Sequence, residues 1–361
     1  MQNTRFHPYL RRCFELARRG AGQVSPNPLV GAVVAHEDRI IGEGWHQRYG
    51  QAHAEVNALN SVAPEDRHLI PQSTLYCSLE PCFHHGKTPP CVERVMQEKL
   101  LRVVISNVDP NPLVAGQSVA RMRAAGIEVI TGVLEQEGAE LNRVFFTSVT
   151  HKRPFVVLKW AQSADGFIGR VGERTTISGP VAQRLVHRWR SELDAMLVGA
   201  QTARVDNPRL DARLVHGRPP LRIALDQKGD IPQTHHLFDD SQPTWILGPK
   251  RQGEWAQTLF MPVPASWEAF LYHLYDHRIA SLLVEGGASV LRQFMEAGLW
   301  DEMRVLENPR LVLGDGIVAP RTGAGAIKVS TMDVGGDHVS VYTPFSQGLQ
   351  PQSPRRRIPV G

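Results

Sequence analysis

The amino-acid sequence predicts two α/β domains. Three observations lead there. The chain has 361 residues, longer than one hydrophobic core usually serves. Strand-like and helix-like segments alternate along it, the pattern of layered α/β folds. A break falls at Thr150-His151-Lys152-Arg153-Pro154, and the alternation then restarts. The expected domains are 1–149 and 150–345, followed by a Pro/Gln-rich tail, 346–361, read as disordered.

In the first half, Tyr9, Leu10, Cys13, Phe14 and Ala17 form one apolar stripe at helical spacing, so residues 9–19 are predicted to be a helix. Residues 29–35 and 39–45 read as strands paired around a His36-Glu37-Asp38 turn. A helix over 53–62 and a strand over 73–80 follow. Then come a helix at 91–100, a strand at 102–107, a helix at 118–125 and a strand at 127–131. In the second half, Phe155-Val156-Val157-Leu158-Lys159 is the near-continuous apolar run of a buried strand. Further strands are expected at 195–198, 221–225, 244–247 and 281–284, each ending in a turn rich in Gly, Pro or Asp. After Glu285-Gly286-Gly287, an amphipathic helix should bury Val290, Leu291, Phe294 and Met295.

Composition narrows the class. Net charge is only +4 and no run of five like charges occurs, so a nucleic-acid partner is not indicated. The four cysteines, Cys13, Cys77, Cys82 and Cys91, are too few for a disulfide scaffold in a chain this long. With no signal-like or membrane-spanning apolar stretch, the chain reads as cytoplasmic.

The most informative residues are His53-Ala54-Glu55, Pro81-Cys82 and Cys91. One histidine, two cysteines and a non-ligand glutamate are the parts of a zinc site that activates water against an amine-bearing ring. His53, Cys82 and Cys91 are the expected ligands of one Zn²⁺, with Glu55 as proton carrier. Each cysteine follows a proline, which suits a helix N-terminus, where a thiolate is favoured. A structural site closed by a fourth ligand, Cys77, His84 or His85, fits the same residues. The eight residues between Cys82 and Cys91 exceed the usual two. They include His84-His85-Gly86-Lys87-Thr88, which offers a point charge, a hydroxyl and turn amides to a phosphate.

At these residues the chain resembles the bifunctional deaminase–reductase family of riboflavin biosynthesis. The resemblance runs over roughly residues 8–325. In the first half it is carried by Pro26-Asn27-Pro28-Leu29-Val30-Gly31, Gly42-Glu43-Gly44-Trp45-His46, the stretch from Leu79-Glu80-Pro81-Cys82 to Cys91, and Asp109-Pro110-Asn111-Pro112. It implies a cytidine-deaminase-like three-layer α/β/α domain acting on a small phosphorylated pyrimidine. Phosphate contacts are implied at His84, Lys87 and Thr88, with base and ribose contacts at Asn27, His46, Asp109 and Asn111.

In the second half the resemblance rests on residues 159–166, 194–199, 202–208, 210–213 and Glu285-Gly286-Gly287. It implies a dihydrofolate-reductase-like α/β domain that uses NADPH to reduce the ribose. Lys159, Asp206 and Glu285 are implied near the reacting carbon, and Arg190 and Arg213 on the substrate phosphate. Cofactor contacts are implied at Ala161, Ser178, Gly199, Thr202, Asp206, Gly286 and Gly287. Arg174-Thr175-Thr176-Ile177-Ser178 departs from the family's pattern there. A homo-oligomer is implied as well. Two rivals stay open: a nucleoside or tRNA deaminase with a non-catalytic accessory domain, and a zinc-stabilised scaffold without catalysis.

Overall fold

The computed structural model describes residues 3–83, 89–111, 115–323 and 325–345. The expected tail, 346–361, and the expected phosphate contacts His84, Lys87 and Thr88 lie outside them. The chain divides into two compact units, Met1–Arg153 and Pro154–Gly361.

The first unit contains α1 (His7–Arg18), β1 (Gly31–His36), β2 (Arg39–Trp45), α2 (Ala54–Asn60), β3 (Thr74–Leu79) and α3 (Cys91–Gln97). It continues with β4 (Arg102–Asn107), α4 (Gln117–Ala124), β5 (Glu128–Ile130), α5 (Glu135–Leu141) and α6 (Arg143–His151). Its sheet has the order β2-β1-β3-β4-β5, antiparallel from β2 to β3 and parallel from β3 to β5. His36 pairs with Arg39, so the hairpin loop is Glu37-Asp38, with Glu37 at φ 52°.

Alternation along the strands splits the apolar side chains between two faces. Val33, Ala35, Tyr76 and Val104 pack with Leu10, Phe14 and Leu16 of α1. Ala32, Val34, Leu75, Cys77, Val103 and Ile105 pack with Ala58, Leu59, Val95 and Met122 from α2, α3 and α4. Both faces are buried, which makes three layers. Each fully buried aliphatic side chain contributes roughly 1.5–3 kcal/mol through that burial.

Helices α5 and α6 escape the sequence reading. Glu135, Gln136, Glu137 and Gly138 hide the apolar period of α5. The expected break at 150–154 contains the end of α6, where Lys152 takes a left-handed conformation at φ 53°.

The second unit contains β6 (Phe155–Ser163), α7 (Pro180–Glu192), β7 (Ala195–Gly199), α8 (Ala200–Asp206), β8 (Leu221–Leu225), β9 (Thr244–Leu247) and β10 (Thr258–Met261). Then follow α9 (Trp267–Asp276), β11 (Ser281–Glu285), α10 (Ala288–Glu296), β12 (Glu302–Asn308), β13 (Ala326–Val334) and β14 (Asp337–Pro344). The strand order is β10-β9-β8-β7-β11-β6-β12-β14-β13. Neighbours from β10 to β12 are parallel, and β13–β14 is an antiparallel hairpin on the edge. This is the α/β architecture that the resemblance implied for the second half. As expected, α10 buries Val290, Leu291 and Phe294, with Met295 half-buried against the same core.

In parallel sheets of this kind ligands gather at the carboxyl ends of the strands. Gly199, Glu285 and Gly286 occupy those ends on β7 and β11. Among the described residues, no helix is long and apolar enough to cross a membrane.

Candidate functional site

In the first unit, His53 is the N-cap of α2 and Cys91 opens α3. Cys82 lies in the loop after β3, so only one of the two cysteines sits at a helix N-terminus. The loop folds back on Cys91, whose backbone N–H donates to the Cys82 sulfur at 3.2 Å. His53 Nδ1 lies 3.4 Å from Cys82 Sγ and 3.2 Å from Cys91 Sγ. A tetrahedral zinc with ordinary bond lengths sets N and S ligands ~3.5 Å apart, so the three atoms fit that ion. The Cys91 thiol's hydrogen bond, with help from His53, holds Cys82 below the usual thiol range despite burial, while Cys91 is pushed up. The pair shares a proton that favours the thiolate on Cys82, and a dication held there would favour ionisation of both sulfurs.

Among the described residues the cluster has three members. Cys77, weighed as a fourth ligand, packs in the core beside Leu75 and Ile105 instead. Glu55, in the first turn of α2, is 3% exposed, and its Oε2 has no hydrogen-bond partner. A buried carboxylate oxygen left unpaired is costly unless a ligand meets it. Burial, and then the Cys82 charge, raise its carboxyl to about 7. A dication beside it favours the ionised form again.

Asn27 and His46 are brought to the same edge. His46 is buried, edge-on to His53 with ring centroids 5.0 Å apart. Its Nδ1 lies 3.2 Å from the Ala52 carbonyl, so that nitrogen carries the proton. Nε2 must then accept from the Asn27 amide at 3.1 Å. This orients Asn27 and leaves its Oδ1 as an acceptor for a ligand. Asp109 and Asn111 follow the end of β4, where Asp109 Oδ1 accepts the Asn111 N–H at 2.8 Å.

In the second unit Glu285, at the end of β11, forms a buried ion triad. Arg190 of α7 approaches it at 2.5 Å and Lys159 of β6 at 3.4 Å. Burial alone would raise the Glu285 carboxyl, but the two cations bring it down to about 2. Burial lowers Lys159. The resemblance implied that Arg190 holds a phosphate and that Glu285 faces the substrate. In this structure the two pair with each other, because a buried carboxylate needs cations, while Arg190 Nε and Glu285 Oε1 have no hydrogen-bond partner and stay open to a ligand. Arg190 also donates to the Asp211 carbonyl at 3.3 Å, while Arg213 pairs with the Asp211 carboxylate at 2.5 Å. The Arg213 side chain is 48% exposed and lines a cavity of about 490 Å³ with Arg209 and Asp211. It keeps the open head group that a phosphate needs.

The sequence reading missed His187, which is buried on α7 within 3.9 Å of Asp211. Burial and the two arginines lower it to about 4, so it is neutral. The available signal was its position three residues before Arg190, on the same helical face.

Gly199, Thr202, Gly286 and Gly287 converge. Gly286 and Gly287 have φ of 89° and 74°. A Cβ on Gly286 would lie 2.9 Å from Thr202 Cγ2, and one on Gly287 3.2 Å from its Oγ1. Gly199 would meet Val290 of α10. A cavity of about 520 Å³, lined in part by Gly199, Ala200, Leu225, Ser266 and Val290, opens beside this cradle. Tight glycines at a strand end before a helix suit close approach of a dinucleotide, so NADPH fits here. Burial raises the Asp206 carboxyl at the end of α8, an effect that Arg174 opposes. Ala161 is half-buried against Ala182, Val186 and Trp189, and the Ser178 carbonyl accepts from Gln183. Gly286→Ala should weaken NADPH binding at least about tenfold by forcing a left-handed Ala against Thr202. Deamination should be unchanged, with cofactor fluorescence titration and a deaminase assay as the checks.

Comparison with known proteins adds two family matches. The cytidine and deoxycytidylate deaminase zinc-binding region matches residues 4–107, and the RibD C-terminal domain matches residues 154–334. The riboflavin biosynthesis protein RibD of Bacillus amyloliquefaciens is 40% identical over 340 residues, covering 90% of each chain. A crystal structure from Thermotoga maritima, described as a diaminohydroxyphosphoribosylaminopyrimidine deaminase/5-amino-6-(5-phosphoribosylamino)uracil reductase, is 34% identical. It has a TM-score of 0.87 and covers 96% of this chain and 100% of that one. Acinetobacter baumannii RibD follows at 32% identity, TM-score 0.85, covering 94% and 98%.

Proposed function

This chain belongs to the bifunctional deaminase–reductase family of riboflavin biosynthesis, and on that premise we propose how its residues divide the two reactions. The enzyme deaminates 2,5-diamino-6-(5-phosphoribosylamino)pyrimidin-4(3H)-one. It then reduces the ribosyl group to ribityl, giving 5-amino-6-(5-phosphoribitylamino)uracil. Residues 1–149 carry the first reaction and 150–345 the second.

The observation that carries the deaminase assignment is the His53–Cys82–Cys91 cluster beside Glu55, whose buried Oε2 has no hydrogen-bond partner. Zinc held by those three residues supplies the Lewis acidity that makes water a nucleophile near neutral pH. Glu55 takes a proton from the attacking water and gives it to the ring nitrogen, then takes the second proton from the new hydroxyl and gives it to the amino group, which departs as ammonia as the carbonyl forms. Asn27, oriented by His46, and Asp109 with Asn111 hold the base and ribose. His84, Lys87 and Thr88 take the phosphate.

In the second domain NADPH supplies the hydride that reduces C1′ of the ring-opened ribose. Gly199, Thr202, Gly286 and Gly287 seat the cofactor, together with Ala161 and Ser178. Asp206, whose carboxyl burial keeps more readily protonated, faces the reacting carbon. The Lys159–Glu285–Arg190 triad fixes the floor of the site, and Arg213 meets the phosphate. The enzyme works in the cytoplasm as a homo-oligomer, with no nucleic-acid partner.

Assaying the half-reactions separately, with zinc content measured, tests the division. Asp206→Ala should lower reduction at least about a hundredfold and leave deamination and zinc unchanged. Equal loss of both activities would sink the division into independent sites. Turnover of free cytidine or of tRNA would favour the nucleoside or tRNA deaminase instead.

A further inference from the structure

Glu80 stands between β3 and the metal ligand Cys82, and it is 4% exposed. Its carboxylate accepts four backbone N–H groups from a single downstream stretch. Oε2 takes Asp109 at 3.1 Å and Gly116 at 3.0 Å, and Oε1 takes Ser118 at 3.0 Å and Val119 at 3.2 Å. Helix α4 has no cap of its own, because its N-cap is Gly116, at φ 73°. A carboxylate 36 residues earlier in the chain supplies the missing acceptor and the negative charge that a helix N-terminus favours.

Capping alone would not require this arrangement, since a local Ser or Asp at a helix start provides about 1 kcal/mol. The distinctive feature is Oε2. One oxygen holds both Asp109 and Gly116, so it ties the Asp109–Asn111 stretch to the start of α4. Asp109 Oδ1 accepts from Asn111, and the Asn111 carbonyl accepts from Ala115 at 2.8 Å. The Glu80 backbone is itself tied to the end of β4, donating to the Asn107 carbonyl at 2.9 Å. The metal ligand and the segment bearing Asp109 and Asn111 therefore share one anchor.

We infer that Glu80 is a positioning residue of the deaminase: its carboxylate ties the Asp109–Asn111 segment to the strand that carries Cys82, so that both meet the pyrimidine in fixed register. The inference rests on the reading that Asp109 and Asn111 contact the substrate.

The test uses the full-length zinc enzyme and Glu80→Gln. An amide cannot accept all four N–H groups, and its own NH₂ opposes two of them. The deaminase KM should rise about tenfold with kcat within about twofold, the effect of weakening one or two buried hydrogen bonds. Zinc content and reductase activity should not change. Acting through Asp109 and Asn111, the change should add nothing once both Asp109→Ala and Asn111→Ala are in place. An unchanged KM, lost zinc, or an effect that still multiplies in that combined variant would each overturn the inference.

Should Glu80→Gln fail to fold, Gly116→Ala probes the same tether. Its Cβ meets nothing within 4 Å, but a left-handed Ala is strained by about 1 kcal/mol, so KM should rise a few-fold. An unchanged KM there counts against the tether too. If Asp109→Ala and Asn111→Ala themselves leave KM alone, the substrate reading fails and the inference falls with it. If those two raise KM and Glu80→Gln does not, only the tether fails.

Discussion

Glu55→Gln should abolish deamination, lowering kcat at least about a thousandfold, while zinc stays bound and reduction continues. General acid–base groups contribute about 10²–10⁴-fold, and Glu55 is assigned successive proton transfers. The substitution is close to isosteric. Because Oε2 has no hydrogen-bond partner, no internal bond to that oxygen is lost. His53, Cys82 and Cys91 remain in place, so metal analysis should still return one zinc per chain. Retained turnover with full zinc would remove Glu55 from proton transfer. Lost zinc would recast it as a support for the metal.

The second large effect is expected at the other site. Glu285→Ala leaves Lys159 and Arg190 as buried cations without their carboxylate. Removing one partner of a buried ion pair typically destabilises by about 3–5 kcal/mol, because the remaining charge is desolvated and uncompensated. The readout is favourable: tryptophans 160, 189, 245, 255, 267 and 300 all lie in the second unit, against Trp45 in the first. Fluorescence-monitored urea unfolding should therefore show the loss directly, with reduction abolished and deamination retained. A change under about 1 kcal/mol would mean that water enters and rescues the cations.

The acid dependence has a definite sign. Glu285 titrates at about 2 in the folded protein, below the usual ~4.3 of an unfolded chain. Its stabilisation is therefore complete above about pH 4.3 and is lost as pH falls towards 2. The Ala variant should lack that part of the acid transition.

Much of the fold was legible because burial writes a period into the chain. The expected strands at 39–45, 102–107, 221–225 and 244–247 coincide with β2, β4, β8 and β9. Elements on the β12–β14–β13 side of the second sheet were not legible. Strand β12 carries Glu302, Arg304 and Glu307, and β13 is largely open to solvent, so neither shows a clean apolar run. The Gly335-Gly336 turn between β13 and β14 was the usable hairpin signal.

The zinc cluster was readable from residue type and spacing alone, since few chemistries call for one histidine, two cysteines and a nearby glutamate. The reductase triad was not. Lys159, Arg190 and Glu285 lie on three separate elements, and nothing in their spacing says that they meet.

The sequence by itself determined the α/β class, the ligand types and the likeness to a two-reaction family. Those follow from local composition, period and motif, which survive in one dimension. Only the tertiary structure decided that Glu80 holds the Asp109–Asn111 segment, that His46 serves Asn27, and that Arg190 pairs with Glu285. Each is a contact between distant segments of the chain. Its partner is chosen by where the sheet and helices bring buried charges and donors together, because a buried polar group must take the partner that folding puts beside it.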